Sequence, residues 1–353
     1  MADMKWTRPV KAFLSERGSL VFHLILLLVG YFVLVMLFGW FISSVLVIIL
    51  GLIRLFWQTL SRLAKDLFAR KFMFGLTLVP GLFVFLMMFG LFWKAKAILA
   101  VRPLGRLLLS SAWRPSRGEF GLLPFLAGTL AVTVVAMVIA VPISLLTAIY
   151  LSEYAPRRLN RIARPVVDLL AGLPSVVFGV WGVLMVVPLV EMLARLFKTY
   201  SSGYSILAGG IVLAIMVFPT IIHVSLEVFS SVSQELREAA MSLGATKWET
   251  VKKVVLRKSG QGIVAAVVLG LSRAFGETMA VLMVVGNIPR VPHSIFDAGY
   301  PLPALLANNY GEMMSVPLYD SALMLAALVL LVVVLVFNSL ARLILVRAER
   351  RAA

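Results

Sequence analysis

Long stretches without any charged residue dominate this 353-residue sequence. A helix of about 20 apolar residues crosses the hydrocarbon core of a bilayer, and six stretches reach or exceed that length. They lie between Arg17 and Arg54, Lys71 and Lys94, Glu119 and Glu153, Asp168 and Glu191, Lys198 and Glu227, and Asp320 and Arg342. A seventh stretch, residues 260–288, contains only two charges, Arg273 and Glu277. The apolar runs do not alternate as the strands of a membrane barrel do. The chain is therefore predicted to be an all-α, polytopic transmembrane helical bundle that is in contact with membrane lipid.

The composition supports a membrane protein and argues against a nucleic-acid-binding one. Hydrophobic residues make up 61% of the chain, and the mean hydropathy is +1.01. The formal net charge is +17, but the Lys and Arg residues stand at the ends of apolar segments and do not gather on a soluble face. There is no cysteine, and His23, His223 and His293 lack metal-ligand spacing. We expect no bound metal and no cofactor.

The basic residues predict the orientation, because cytoplasmic loops collect Lys and Arg. Residues 153–164 and residues 342–353 each hold four Arg and one Glu, and residues 230–258 carry a net charge of +3. These three segments are predicted to be cytoplasmic. Residues 286–320 hold one Arg, three acids and five prolines, which predicts an external loop. The resulting spans are expected near residues 72–93, 124–150, 165–190, 206–227, 260–286 and 321–345.

The domain organisation is predicted as an N-terminal extension, residues 1–71, followed by a helical core, residues 72–353, which contains the loop at residues 230–258. The first apolar run would form a helix of about 50 Å at 1.5 Å per residue, longer than a bilayer core of about 30 Å. It is either one tilted span or a hairpin that turns near Gly39. The run is too long for the core of a cleaved signal peptide, so the N-terminus is expected to stay attached.

The predicted cytoplasmic loop at residues 230–258 has the pattern helix, break, helix. Ser231 with Gln234 resembles a capping pair, and Gly244 suits a left-handed helix end. An amphipathic stretch follows over residues 247–256. The small Ala239 and Ala240 would allow a partner to approach closely. A plain surface hairpin would give the same pattern.

This loop resembles the coupling segment of ABC importer permease subunits, whose signature is Glu-Ala-Ala, three residues, Gly, nine residues, an aliphatic residue, any residue, Leu and Pro. The matching residues are Glu238, Ala239, Ala240, Gly244, Val254 and Leu256, and Arg257 replaces the final proline. The resemblance implies that these residues dock on a separate ATPase. No phosphate-binding loop of the Gly-x4-Gly-Lys-Ser/Thr type occurs, so the chain itself is not expected to be an enzyme.

Further segments resemble the phosphate-specific, PstC-type permeases. They are residues 262–266, 270–281, 113–121, 151–156, 172–175, 218–220 and 286–297. The resemblance implies a type I importer permease of the inner membrane with six core spans. It also implies three kinds of partner: a second, PstA-like permease, an ATP-binding subunit dimer and an extracytoplasmic phosphate-binding protein. Residues 94–119 carry excess positive charge, yet in this family the Trp-x-Pro region lies outside, and we follow the family there.

Arg273 and Glu277 are predicted to serve the translocation path of phosphate. Each costs roughly 2.5 to 3.5 kcal/mol at the centre of a membrane helix, so such residues usually face a cavity or a partner. Their i, i+4 spacing would let them pair on one helical face. Arg273 would bind phosphate oxygens while Glu277 partly neutralises it. Ser272 and Thr278 beside them are assigned to the same path. A buried ion pair that only fixes packing is the alternative.

Two other functions fit the sequence. A membrane sensor or scaffold would need the bundle but not the coupling pattern. A permease for sulfate, molybdate or a phosphonate would keep the transport role and change only the substrate. Pro142, Pro174 and Pro219 fall inside the expected spans and would fit kinked helices around a cavity, or ordinary membrane helices.

Overall fold

The computed structural model describes residues 29–30, 36, 44–45, 48–52, 54, 62–312 and 315–352. The chain divides into two compact units, residues 1–84 and residues 85–353. In the first unit, the described residues beyond position 61 are helical, and the rings of Phe68 and Phe72 stack at 5.9 Å. Most of the predicted extension, including the choice between one tilted span and a hairpin at Gly39, lies outside the described residues. The predicted boundary at residue 71 stays a prediction.

The described part of the chain from residue 62 onward is almost entirely helical. Three single-turn π-helices, Tyr150–Tyr154, Gly182–Val186 and Val251–Val255, extend or join neighbouring α-helices. A two-stranded antiparallel hairpin pairs β1, Trp113–Arg114, with β2, Glu119–Phe120. The α-helices are α1 (Arg62–Val101), α2 (Leu104–Leu109), α3 (Leu123–Ile149), α4 (Arg157–Gly172), α5 (Ser175–Trp181), α6 (Val187–Leu196), α7 (Ile206–Ser230), α8 (Gln234–Ser242), α9 (Lys247–Thr250), α10 (Leu256–Lys258), α11 (Gly260–Gly276), α12 (Met279–Val284), α13 (Leu302–Asn309) and α14 (Tyr319–Ala352).

Within the described residues, five continuous helical segments are long and apolar enough to cross a membrane. A sixth candidate is the pair Lys247–Lys258 and Gly260–Gly276, which is bent by 70° at Ser259. This number agrees with the six core spans expected from the sequence. The five segments are Asp66–Val101, Leu123–Tyr154, Ser175–Leu196, Ile206–Ser230 and Tyr319–Leu340.

The span expected at residues 165–190 is wrong as a continuous helix. Helix α4 ends at Gly172, Leu173 is extended with ψ 136°, and Pro174 precedes α5. Proline has no backbone N–H and disfavours the helical conformation of the residue before it. Helix α4 has no buried residue and carries its Arg residues at its start, so only Ser175–Leu196 has the character of a span. Pro142 and Pro219, in contrast, do lie inside helices, α3 and α7.

The core of the second unit is centred on α7. In the most apolar 18-residue stretch of this helix, 67% of the residues are buried. Helix α7 packs against α3 and α11 around a cluster that includes Ala136, Val217 and Ala266. Glycine makes the close approach of these helices possible. A Cβ at Gly270 would lie 2.6 Å from Ile221 Cγ1, and a Cβ at Gly210 would lie 2.8 Å from Val135 Cβ.

Replacing Gly210 by alanine is expected to destabilise the α3–α7 contact. The added methyl group overlaps Val135, and overpacking of this kind costs about 1–3 kcal/mol. Gly172→Ala is the matched control, because an added Cβ at Gly172 meets no heavy atom within 4 Å. Thermal unfolding of the purified protein should show a lower midpoint for Gly210→Ala only. Equal midpoints for the two variants would contradict the close packing.

The segments assigned to the external side form a second apolar cluster. Trp113 of the hairpin lies edge-on to Phe120 and Phe125, at 5.6 Å and 4.9 Å between ring centroids. The loop before α13 is bound to α3, since Leu302 N donates to Thr129 Oγ1 at 2.8 Å. The expected external loop, residues 286–320, therefore packs against the bundle and contains a helix of its own, α13.

Candidate functional site: a surface helical hairpin and a broken membrane helix

Helices α8 and α9 form the helix-break-helix hairpin that the sequence predicts. The prediction for Gly244 is confirmed, because its φ is +85°. Gly244 N donates to Met241 O at 3.0 Å and Ala245 N to Ala240 O at 3.2 Å, which together form a Schellman-type helix end. The predicted capping pair is wrong: Ser233 is the N-cap of α8, and Ser231 Oγ donates instead to Val228 O.

The start of α9 carries a capping box that was not predicted from the sequence. Thr246 Oγ1 accepts from Glu249 N at 3.3 Å, and Glu249 Oε2 accepts from Thr246 N at 3.0 Å. The pattern Thr-x-x-Glu was the available signal. The hydrogen bond from the Thr246 backbone, together with Lys253, lowers the pKa of Glu249. The break between α8 and α9 is thus fixed on both sides by local hydrogen bonds.

The hairpin exposes apolar side chains around the signature residues. Leu243 is 90% exposed and Trp248 is 53% exposed, and Leu236 and Met241 are exposed as well. Glu238 and Ala239 are exposed and Ala240 is half-buried. Glu238 accepts from Gln234 Nε2 at 3.2 Å. Exposed large apolar groups next to small residues are typical of a surface that a partner protein covers.

The predicted pair between Arg273 and Glu277 does not form. Helix α11 ends at Gly276, and Glu277 adopts an extended backbone with ψ 129°. The i, i+4 argument requires a continuous helix, but Gly276 and the β-branched Thr278 both have low helix propensity. Glu277 Oε1 instead accepts a long hydrogen bond of 3.4 Å from Ala280 N, at the start of α12. The span expected at residues 260–286 is therefore broken where the acid lies.

Arg273 contacts α7 rather than the acid. Its Nη1 donates to Thr220 Oγ1 at 2.7 Å, next to Pro219. Within the described residues, the remaining guanidinium N–H groups have no protein partner. The half-buried Arg273 therefore keeps most of its donors available to an anion.

The other residues assigned to the path are separated from one another. Ser272 Oγ donates to Val268 O at 3.0 Å and contacts Asn338 Oδ1 on α14 in a short hydrogen bond. Thr278 Oγ1 donates only to Gly276 O, at 3.4 Å. Glu277 lines a cavity of about 10 Å³, close to the volume of one water molecule, together with Thr129 and Thr133 of α3. The structure thus places Arg273 and Ser272 at helix contacts, and Glu277 and Thr278 at the break.

A cavity of about 950 Å³ opens among the segments assigned to the external side. Its lining includes Arg290, His293, Tyr200 and Ser202. The acid beside them, Asp297, is engaged by its own loop, because Oδ2 accepts from the backbone N of His293 and of Ser294 at 2.9 Å. Among the described residues, Arg290 has no acidic partner. The sequence analysis did not predict this cavity, whose lining holds both Arg290 and Asp297.

Residues 140–352 match the family described as "binding-protein-dependent transport system inner membrane component". The chain belongs to this family. A relative from Bacillus subtilis (strain 168), "Probable ABC transporter permease protein YqgH", is 39% identical over 237 residues, which cover 67% of this chain and 75% of the relative. The "Phosphate transport system permease protein PstC" of Xylella fastidiosa (strain 9a5c) is 38% identical over 257 residues, covering 69% and 79%.

Chains of two solved ABC transporters are similar to this chain in fold. The MetNI methionine ABC transporter has a chain that aligns with a TM-score of 0.50 at 19% identity, covering 64% of this chain and 95% of that one. A bacterial alginate ABC transporter, solved with an alginate-bound periplasmic protein, gives a TM-score of 0.54 at 17% identity, covering 80% and 96%. The family membership and this fold confirm the expected multi-pass, inner-membrane importer permease.

Proposed function

We propose that this chain is the membrane-spanning permease subunit of an ATP-driven inorganic phosphate importer. The observation that carries the proposal is the 38% identity over 69% of the chain to a protein named as a phosphate transport system permease. Family membership supports transport over a sensor or scaffold role, and the phosphate-type relatives favour phosphate over sulfate, molybdate or a phosphonate.

The importer needs other chains for its energy and for its substrate supply. ATP hydrolysis belongs to a separate ATP-binding subunit dimer, which would dock on Glu238, Ala239, Ala240 and Gly244. The exposed apolar residues around this signature support that assignment. A second, PstA-like permease would complete the translocation path, and an extracytoplasmic phosphate-binding protein would deliver the anion.

The translocation path is proposed to pass Arg273, with Ser272, Thr278 and Glu277 nearby. Phosphate would enter from the cavity on the external side, where Arg290 offers a guanidinium without an acidic partner among the described residues. It would then reach Arg273, whose free N–H groups can bind two phosphate oxygens at once. Because Glu277 is not paired with Arg273, no carboxylate occupies the donors that would bind the anion. Thr220 holds the guanidinium in place.

The experiment is ATPase stimulation in the purified complete complex. The phosphate-loaded binding protein should raise the ATPase rate several-fold over the rate with the unloaded binding protein. Binding protein incubated with sulfate should not raise the ATPase rate. Equal stimulation by sulfate would assign the subunit to another oxyanion. The absence of any ATPase activity in a complex that contains this chain would contradict the coupling role.

A further inference from the structure

Arg237 joins the surface hairpin to the membrane bundle through an ion pair that is largely shielded from solvent. Its Nη2 donates to Glu153 Oε1 at 2.8 Å and its Nε to Glu153 Oε2 at 3.2 Å, a two-pronged contact. The side chains are only 13% and 9% exposed. In every other ion pair of the described part of the chain, the more exposed side chain is at least 57% exposed. Arg237 precedes the signature residue Glu238 directly.

The same guanidinium also holds the end of α7. Its Nη2 donates to Phe229 O at 2.8 Å, and its Nη1 donates to Val232 O. One side chain therefore fixes three elements: α8, the end of α7, and the π-helical turn Tyr150–Tyr154 that extends α3. The paired residues are 84 positions apart, so the pair orients separate elements. An ion pair that served only helix stability or solubility could form within one helix.

The span that carries Glu153 extends to the opposite side of the bundle. At its far end, Thr129 Oγ1 accepts from Leu302 N in the external loop. Near that same end the span lines the small cavity at Glu277 through Thr129 and Thr133. A displacement of α8 can therefore reach this span through the link between Arg237 and Glu153, provided that the link is rigid.

We infer that Arg237 and Glu153 are positioning residues that transmit the movement of α8 to the span Leu123–Tyr154, so that ATP hydrolysis drives transport; this inference rests on the proposed function. A two-pronged pair resists bending, and helix α8 has no buried residue that would otherwise hold it to the bundle. Without the pair, the ATPase would still dock on the exposed face of α8. Its strokes would then move the hairpin without moving the span.

The test is the number of phosphates taken up per ATP hydrolysed, measured in vesicles that contain the complete complex. Glu153→Gln and Arg237→Gln should each lower this ratio about tenfold while ATPase rate and assembly stay normal. The double variant should be no worse than the poorer single variant, because the two residues act as one unit. Arg195→Gln is the matched control: its pair with Glu191 is exposed and lies within one helix, so the ratio should not change.

Arg237→Lys resolves the case in which the Gln variants fail to assemble. Lysine keeps the charge but cannot hold both carboxylate oxygens and two backbone carbonyls, so the ratio should fall to an intermediate value. The inference would be overturned by a wild-type ratio in Arg237→Lys or in either Gln variant that assembles. Additive losses in the double variant would also overturn it.

A second readout does not depend on the substrate. The chain has no cysteine, so a thiol introduced as Ala131→Cys in the span can be labelled selectively in this subunit. Trapping the ATPase in its nucleotide-bound state should change the labelling rate in the wild-type background and not in Glu153→Gln. The same change in both backgrounds would overturn the inference. If the wild-type complex showed this change but moved no phosphate, only the proposed substrate would fail.

Discussion

Phosphate uptake is expected to fall about 100-fold when Arg273 is replaced by alanine, which corresponds to about 2.7 kcal/mol. Among the described residues, the half-buried guanidinium makes one hydrogen bond, to Thr220 Oγ1, which leaves its other donors to bind the anion. Alanine removes the cation and all of these donors. Uptake should be measured in vesicles in which the amount of the subunit and its association with the ATPase are equal to wild type.

Three further variants separate the possible roles of Arg273. Arg273→Lys keeps the charge but loses the two-pronged geometry, so it should retain only part of the uptake. Thr220→Val removes the hydroxyl that positions the guanidinium and should have a smaller effect than Arg273→Ala. Glu277→Gln removes a negative charge beside the proposed path while the amide oxygen can still accept from Ala280 N, so a change in uptake would report the charge of the acid and not the loss of this hydrogen bond. Wild-type uptake by Arg273→Ala would leave Arg273 a packing residue.

Gly244→Leu is expected to weaken binding of the ATPase to the membrane subunits by about tenfold or more, and to reduce transport accordingly. Leucine is strained at the φ of +85°, at a cost of roughly 1–2 kcal/mol. Its side chain would also project from the hairpin, where no atom of the chain lies within 4 Å of the added Cβ. Co-purification of the ATPase with this subunit measures the loss.

Gly118→Leu is the matched control for backbone strain. Gly118 has a φ of +68° and open space at its Cβ, but it lies in the hairpin assigned to the external side. This variant should keep ATPase binding. Gly244→Asn should lose less than Gly244→Leu, because asparagine tolerates the left-handed conformation and is smaller. Equal ATPase binding by Gly244→Leu and wild type would refute the docking assignment.

The sequence predicted the helical architecture well because apolar length is a local property. The spans at Leu123–Tyr154, Ile206–Ser230 and Tyr319–Leu340 follow from charge-free runs. Two breaks were missed. The one at Pro174 could have been found from the proline. The one at Glu277 depends on Gly276 and Thr278, whose weak helix propensity is often overridden by packing in membrane helices.

The candidate site was predicted by residue type but not by partner. The left-handed conformation of Gly244 could be predicted from the sequence, because a glycine that follows an amphipathic helix commonly ends that helix. The partners of Arg273 and Arg237 lie 53 and 84 positions away, and local spacing carries no information about such contacts. Spacing suggested Glu277 for Arg273, but the nearest acid in sequence is not its partner in the fold.

The most direct test of the phosphate importer function is uptake of radiolabelled phosphate by proteoliposomes. They would contain this chain, the second permease and the ATPase, with ATP on the side of the ATPase and the binding protein on the opposite side. We expect ATP-dependent accumulation of labelled phosphate. An excess of unlabelled phosphate should suppress this accumulation, and the same concentration of sulfate should not. Accumulation that sulfate suppresses as strongly as phosphate, or no ATP-dependent accumulation by an ATPase-active complex, would contradict it.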